Sequence, residues 1–335
     1  MFYDIASLTR RDDIVFDSEK ETADNEIYEK MLEQCKNVGE AVEFLRRYNV
    51  NGLKRHHIMI VDKSGASVIV EWGRDSLSVV KKDGHYQVMT NFNNTDPTLA
   101  GWYPCNRYST AEKMLRNGDD ISVEHFRYIL KAVHNSGPEY PTVYSNIYDT
   151  KNDIIYVFKY HNFLEYIKID VKKELEREHS YYLPSLFSRL RLLAPKQDEN
   201  IDESSVNLVW EGNADRYELF VSTNPNFINC ESTPVTSQHA QSHYQNNGII
   251  SSAILIYLPA VIIFFKRKTL ILIGFIFFLF QWPNCTSVNN SMPLEKVTYT
   301  VTDLEKYTVY YWKIEAYKNN TGYYSESITF NFKTR

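Results

Sequence analysis

Apolar residues recur at helical spacing over residues 24–48, DNEIYEKMLEQCKNVGEAVEFLRRY, where Ile27, Met31, Leu32, Cys35, Val38, Val42 and Leu45 fall on one face. The spacing predicts a helix, with Gly39 as a candidate divider and Cys35 as a buried, inert thiol on the apolar face. The period then changes to two. HHIMIV and ASVIVEW flank Asp62-Lys63-Ser64-Gly65, which reads as a hairpin with a left-handed glycine. A third strand is expected at Leu77 to Lys81. A further alternating run, Tyr86 and Val88, predicts a half-buried strand ending in Thr90-Asn91.

A turn-rich aromatic loop with Pro97, Gly101 and Pro104 follows, and order resumes at Cys105-Asn106-Arg107-Tyr108. Asn106 or Ser109 can cap a helix that carries Ala111, Met114 and Leu115. An amide at a strand's end and a guanidinium at a helix's start suit the stabilisation of an oxyanion beside a thiolate. The same residues also suit a plain turn and a solvated helix start. A second helix over Val123 to His134 and three strands, PTVYSNIYD, IIYVFKY and LEYIKID, complete an α+β order over residues 1–194. The short turn at Thr150 to Asp153 predicts antiparallel neighbours.

Residues 195–205, PKQDENIDESS, read as an acidic linker. Beyond them, over 206–335, short alternating strands (VNLVWEG, DRYELFVST, VTYTVTDL, VYYWKIEAY, SITFNFKT) predict a small β-sandwich. It is interrupted at 249–282 by two apolar runs, IISSAILIYLPAVIIFF and TLILIGFIFFLFQW, separated by Lys266-Arg267-Lys268. As helices they would reach about 25 and 21 Å against a hydrocarbon core of about 30 Å. The flanking strands must meet in one sandwich, so a transmembrane hairpin kinked at Pro259 is expected. Its basic tip would be cytoplasmic and the domains extracytoplasmic.

With 335 residues, two domains are the natural expectation. The net charge of −5 argues against a nucleic-acid partner. Cys35, Cys105, Cys230 and Cys285 form no CxxC or CxxH pattern, and His56-His57 alone cannot ligate a metal, so no metal or other cofactor is expected. Oligomeric state is not legible.

The runs LEQCKNVGEAVEFL, HHIMIVDKSGASVIVEW, VMTNFNN, NRYSTAEKML, TVYSNIYDTKNDIIYVFKYHNF and HSYYLPSLF resemble, in order and spacing, the choloylglycine hydrolase and penicillin V acylase group of N-terminal-nucleophile (Ntn) hydrolases, a linear amide hydrolase branch. The resemblance implies an αββα sandwich, incomplete here, and hydrolysis of a non-peptide C–N bond in a small-molecule amide. It implies Asn91 as oxyanion donor and Arg107 as the cation beside the thiolate. Leu208-Val209-Trp210, Tyr217-Glu218-Leu219 and Val309 to Ala316 resemble a fibronectin type III module. In the hydrolase group an N-terminal cysteine attacks the amide. Met1 and Phe2 do not match it, Cys35 is expected inside a helix, and Cys105 lies where the group keeps no nucleophile. The chain as given is therefore expected to hold the distal half of an active site and to be inactive. The alternative is a non-catalytic, membrane-anchored surface or interaction protein.

Overall fold

The structure, a computed structural model, describes residues 1–116, 120–176, 183–236, 263–266, 269–272, 294–318 and 324–335. After β1 (Phe2–Ser7) and β2 (Glu21–Ala23), the first apolar-faced run folds as two helices, α1 (Glu26–Gln34) and α2 (Val38–Leu45). The break falls at Cys35, whose backbone is extended, and at Asn37, whose side chain accepts the Glu40 N–H and caps α2. Gly39 lies within α2, and Cys35 is half-buried between the helices rather than inside one.

β3 (Tyr48–Val50) pairs with β2, and a 3-10 turn (Asn51–Lys54) leads into the hairpin β4 (His56–Val61) and β5 (Ser67–Trp72). Gly65 closes that hairpin at φ 83°, a conformation glycine adopts without steric cost. With β6 (Leu77–Lys81), the antiparallel sheet runs β1-β4-β5-β6. Ile58, Ile60, Val68 and Val70 form the face that packs under α1 and α2, against Ile27, Met31, Ala41 and Leu45. The strand expected over Tyr86 and Val88 does not form. Gln87 accepts from the Ser67 hydroxyl and donates to the Val80 carbonyl, so a side chain bonds a backbone group of the edge strand β6.

α3 (Asn106–Arg116) and α4 (Val123–Val133) follow, α4 capped by the Ser122 hydroxyl. β7 (Tyr144–Asp149), β8 (Ile154–Lys159) and β9 (Asn162–Asp170) make an antiparallel meander. One face of it, Ile147, Phe158 and Phe163, packs with Val123 and Leu130 of α4. After α5 (Val171–Glu174) and α6 (Leu183–Leu186), Leu183, Leu186 and Phe187 cover Val157, Ile167 and Ile169 on the other face.

The remaining elements are β10 (Arg191–Ala194), β11 (Glu199–Ile201), β12 (Val206–Gly212), β13 (Arg216–Ser222), β14 (Thr233–Thr236), β15 (Ile263–Lys266), β16 (Thr269–Leu272), β17 (Glu295–Val301), β18 (Val309–Tyr317), β19 (Tyr324–Ser327) and β20 (Phe330–Thr334). β10, β12 and β17 form one sheet. Trp210 and Leu208 from it pack with Tyr217, Leu219, Trp312, Ile314 and Phe332 of β13, β18 and β20. β11, within the acidic stretch 195–205, pairs parallel with β20.

The expected fold class needs correction. Among the described residues, strands outnumber helices by twenty to six, short turns aside. The larger C-terminal sheet is continuous with the meander in the order β11-β20-β18-β19-β9-β8-β7, so the expected succession of an αββα sandwich and a separate fibronectin-like sandwich does not describe it. The cause is β19, which pairs with β18 on one edge and with β9 on the other. The transmembrane hairpin is not supported either. No described helix is long and apolar enough to cross a membrane. The described parts of 249–282 are β15 and β16, paired antiparallel from Ile263↔Leu272 to Lys266↔Thr269, as their β-branched and aromatic composition favours. The rest of that stretch, Pro259 included, and Cys285 beyond it lie outside the described residues.

Burial beneath α1 sets a pH limit on this fold. His56 is buried, and its Nε2 is hydrogen-bonded to the Tyr28 hydroxyl at 2.7 Å. Burial first, then the charges of Arg55 and His57, pull the His56 pKa down from 6.5 to about 4. The folded value is depressed, so the contribution is intact above 6.5 and is lost as pH falls toward 4. The slope reaches about 1.4 kcal/mol per pH unit. His56→Gln retains an acceptor for Tyr28 and does not titrate. Urea unfolding from pH 7 to pH 4 should show the wild type losing stability faster than this variant. Parallel curves would reject the assignment.

Candidate active site

The loop that carries Asn91 is built by its own backbone. Phe92 and Gly101 form an antiparallel bridge, the Asn93 N–H donates to Ala100 O at 2.8 Å, and the Trp102 N–H donates to Asn91 O at 2.7 Å. Gly101 has φ 126°, and a Cβ there would lie 2.2 Å from Phe92 Cα, so the closure demands glycine. Phe92 is buried, with its ring 5.3 Å from that of Tyr103 and 5.0 Å from that of Tyr108 on α3, which fastens the loop to the helix.

A second set of bonds ties the loop to the end of β5. Asn93, fully buried, donates from Nδ2 to Trp72 O at 2.7 Å and accepts at Oδ1 from the Thr95 hydroxyl and the Asp96 N–H. Glu71 accepts the N–H groups of Asn94 at 2.9 Å and Thr95 at 2.6 Å. Neither Asn93 nor Glu71 is a site residue by sequence reading. The available signal was Glu71 itself, an acid in the apolar strand run SVIVEW.

The two residues expected at the site are together. Arg107 Nη2 donates to Asn91 Oδ1 at 2.5 Å, and Asn91 Nδ2 donates to Ser7 O, at the end of β1, at 2.9 Å. A guanidinium only donates, so the carboxamide must present its oxygen to Arg107 and its nitrogen to Ser7. The Asn91 nitrogen has two hydrogens and spends one on Ser7. Arg107 is exposed and Asn91 is half-buried, at the surface of the loop.

Cys105 precedes the first turn of α3. Burial pushes its thiol up, but the Thr90 side chain first, then the N–H groups of Tyr108 and Arg107 and the Arg107 charge, bring it below the ordinary thiol value. Cys35 goes the other way: burial, then the charge of Glu40, raises it. His56 and His57 are both buried and bonded within the protein. Among the described residues, no group of three or more His, Cys, Asp or Glu side chains is gathered to hold a metal.

No protein-family model matches the sequence. No curated protein matches it either. Among solved structures the chain is similar to a variant of conjugated bile acid hydrolase from Clostridium perfringens, at 19% identity and a TM-score of 0.38, over 51% of this chain and 70% of that one. That likeness assigns no role to Asn91 or Arg107.

The opposite displacement of the two thiols is measurable. Iodoacetamide at neutral pH, followed by peptide mass analysis, should label Cys105 faster than Cys35. Faster labelling of Cys35 would show that the start of α3 does not favour a thiolate.

Proposed function

We propose that this chain belongs to a hydrolase of linear carbon–nitrogen bonds, with a small-molecule amide as substrate, and that Asn91 and Arg107 carry part of its active site. The observation that carries the reading is the fixed carboxamide of Asn91. It is aimed by Arg107 at one end and by Ser7 O at the other, with a second N–H still to give. The order of the runs VMTNFNN and NRYSTAEKML, and the resemblance they bear to linear amide hydrolases, supports the same roles.

The chemistry follows from the groups. When a nucleophile attacks an amide carbon, the carbonyl π pair moves onto oxygen. That oxygen accepts the free Asn91 N–H, while the Arg107 charge lies against the other side of the same carboxamide. Collapse of the intermediate returns the pair and breaks the C–N bond; the amine leaves with the proton the nucleophile gave up, the acyl group stays on the nucleophile, and water then releases it as the acid. Asn91 and Arg107 stabilise charge in this sequence and neither attacks.

The test is a panel of N-acyl amino acids and phenoxyacetyl amides, assayed for turnover and for binding. In protein restored to turnover by a nucleophile, Asn91→Ala should lower turnover about 10²–10³-fold with little change in thermal unfolding, because one oxyanion donor is lost. Arg107→Lys should also be slow, since a point charge does not replace the planar fork that aims Asn91. Wild-type rates in both variants would refute the roles. Absence of both turnover and binding would favour a non-catalytic interaction protein.

A further inference from the structure

His57 and Glu71 are both fully buried on facing strands β4 and β5. His57 Nδ1 lies 2.9 Å from Glu71 Oε2, and His57 Nε2 lies 2.6 Å from Thr90 O. A backbone carbonyl only accepts, so Nε2 carries a proton and donates it; a further proton lies between Nδ1 and the carboxylate. Glu71 meanwhile accepts from Asn94 N at Oε2 and from Thr95 N at Oε1. The pair therefore grips the loop on both sides of Asn91. On one side it holds the Thr90 carbonyl, which belongs to the peptide plane entering Asn91. On the other it holds two amides in the turn that follows.

A buried acid–base pair is poor evidence of stability, because the cost of removing both groups from water offsets their attraction. Here its partners are backbone groups of one loop, so what it supplies is geometry. We propose that Glu71 and His57 are positioning residues for Asn91. Through the Thr90–Asn91 peptide and the Asn94 and Thr95 amides, they set the direction in which the Asn91 carboxamide points. The functional meaning rests on the hydrolase reading of Asn91; the clamp itself does not.

Glu71→Gln leaves one acceptor oxygen to face three N–H donors. Hydrogen exchange at Asn94 and Thr95 should accelerate about 10- to 100-fold, while Ile58, Ile60 and Val70 in the strand core keep their protection. His57→Gln places an amide near the former Nε2 and should retain more of the loop's order than His57→Leu. In active protein, Glu71→Gln should lower kcat with little effect on KM.

Uniform acceleration over loop and core, or none at Asn94 and Thr95, would overturn the clamp. Should Glu71→Gln fail to fold, nitrogen-15 spectra of histidine in the wild type decide it. A proton is expected on His57 Nε2 and a strongly deshielded one at Nδ1, and an unprotonated Nε2 refutes the arrangement. Loss of activity in Asn91→Ala beside unchanged loop exchange in Glu71→Gln would sink the clamp and leave the site. The converse would sink the site and leave the clamp.

Discussion

A carboxylate removed from water must be surrounded by donors, and three acids impose that requirement on this fold. Asp62, Glu71 and Glu165 are all buried. Each recruits backbone N–H groups from a distant segment. Asp62 accepts from Val38, at the start of α2, and from Ser64 in its own hairpin. Glu71 accepts from Asn94 and Thr95. Glu165 accepts from Ser188, in the chain that leads out of α6, at 2.5 Å. Leaving one buried ion without partners costs several kcal/mol, while each hydrogen bond to a charged group returns about 1.5–3 kcal/mol. Two or three donors per acid are therefore needed, and supplying them fixes a helix start, a loop and a chain crossing in turn.

The third of these acids explains how the two halves of the chain stay joined. β9 and β19 share only the pairs Ser325↔Ile167, Glu326↔Tyr166 and Ser327↔Glu165. So short a ladder would be weak by itself. Burial pushes the Glu165 carboxyl up, against the pull of the Ser188 and Leu190 N–H groups and the Lys318 charge. On the opposite face Glu326 accepts both the Tyr166 hydroxyl and the Lys313 ammonium at 2.8 Å. Lys318 donates to Phe187 O, tying the end of β18 to α6. The seam is polar and directional, which fixes register where an apolar contact would allow sliding.

What could be read in advance follows from how local each cause is. The β4–β5 hairpin was legible because Asp62 and Gly65 dictate their own turn. The α4 start was legible because Ser122 caps it, and β7 to β9 were legible because their alternation is regular. Asn91 and Arg107 could be singled out from motif order, though the hydrogen bond between them could not. The missed features are non-local. The alternation at Tyr86 and Val88 is genuine, yet Gln87 occupies the bonding edge of β6. The sheet running through both halves depends on β19 meeting β9, and no periodicity encodes that partner. The apolar runs near residue 265 suggested a hydropathic solution, although Ile263 to Leu272 is as rich in strand formers as in membrane formers. Glu71 and His57 left one trace, polar groups at inward strand positions, which points to a buried partner without naming it.

The exposure of Arg107 places a physical condition on any charge stabilisation at Asn91. At 4 Å a unit charge pair is worth about 1 kcal/mol in bulk water and about 4 kcal/mol at an effective dielectric of 20. A guanidinium facing solvent therefore gives little until water is displaced. The apolar surface that can displace it is on the same loop. Trp102 and Tyr103 are 76% and 63% exposed, and the Trp102 N–H is bonded to the Asn91 carbonyl. The Phe92 ring packs edge-on against Tyr103. The buried pair of His57 and Glu71 holds the loop that carries these rings by backbone groups alone.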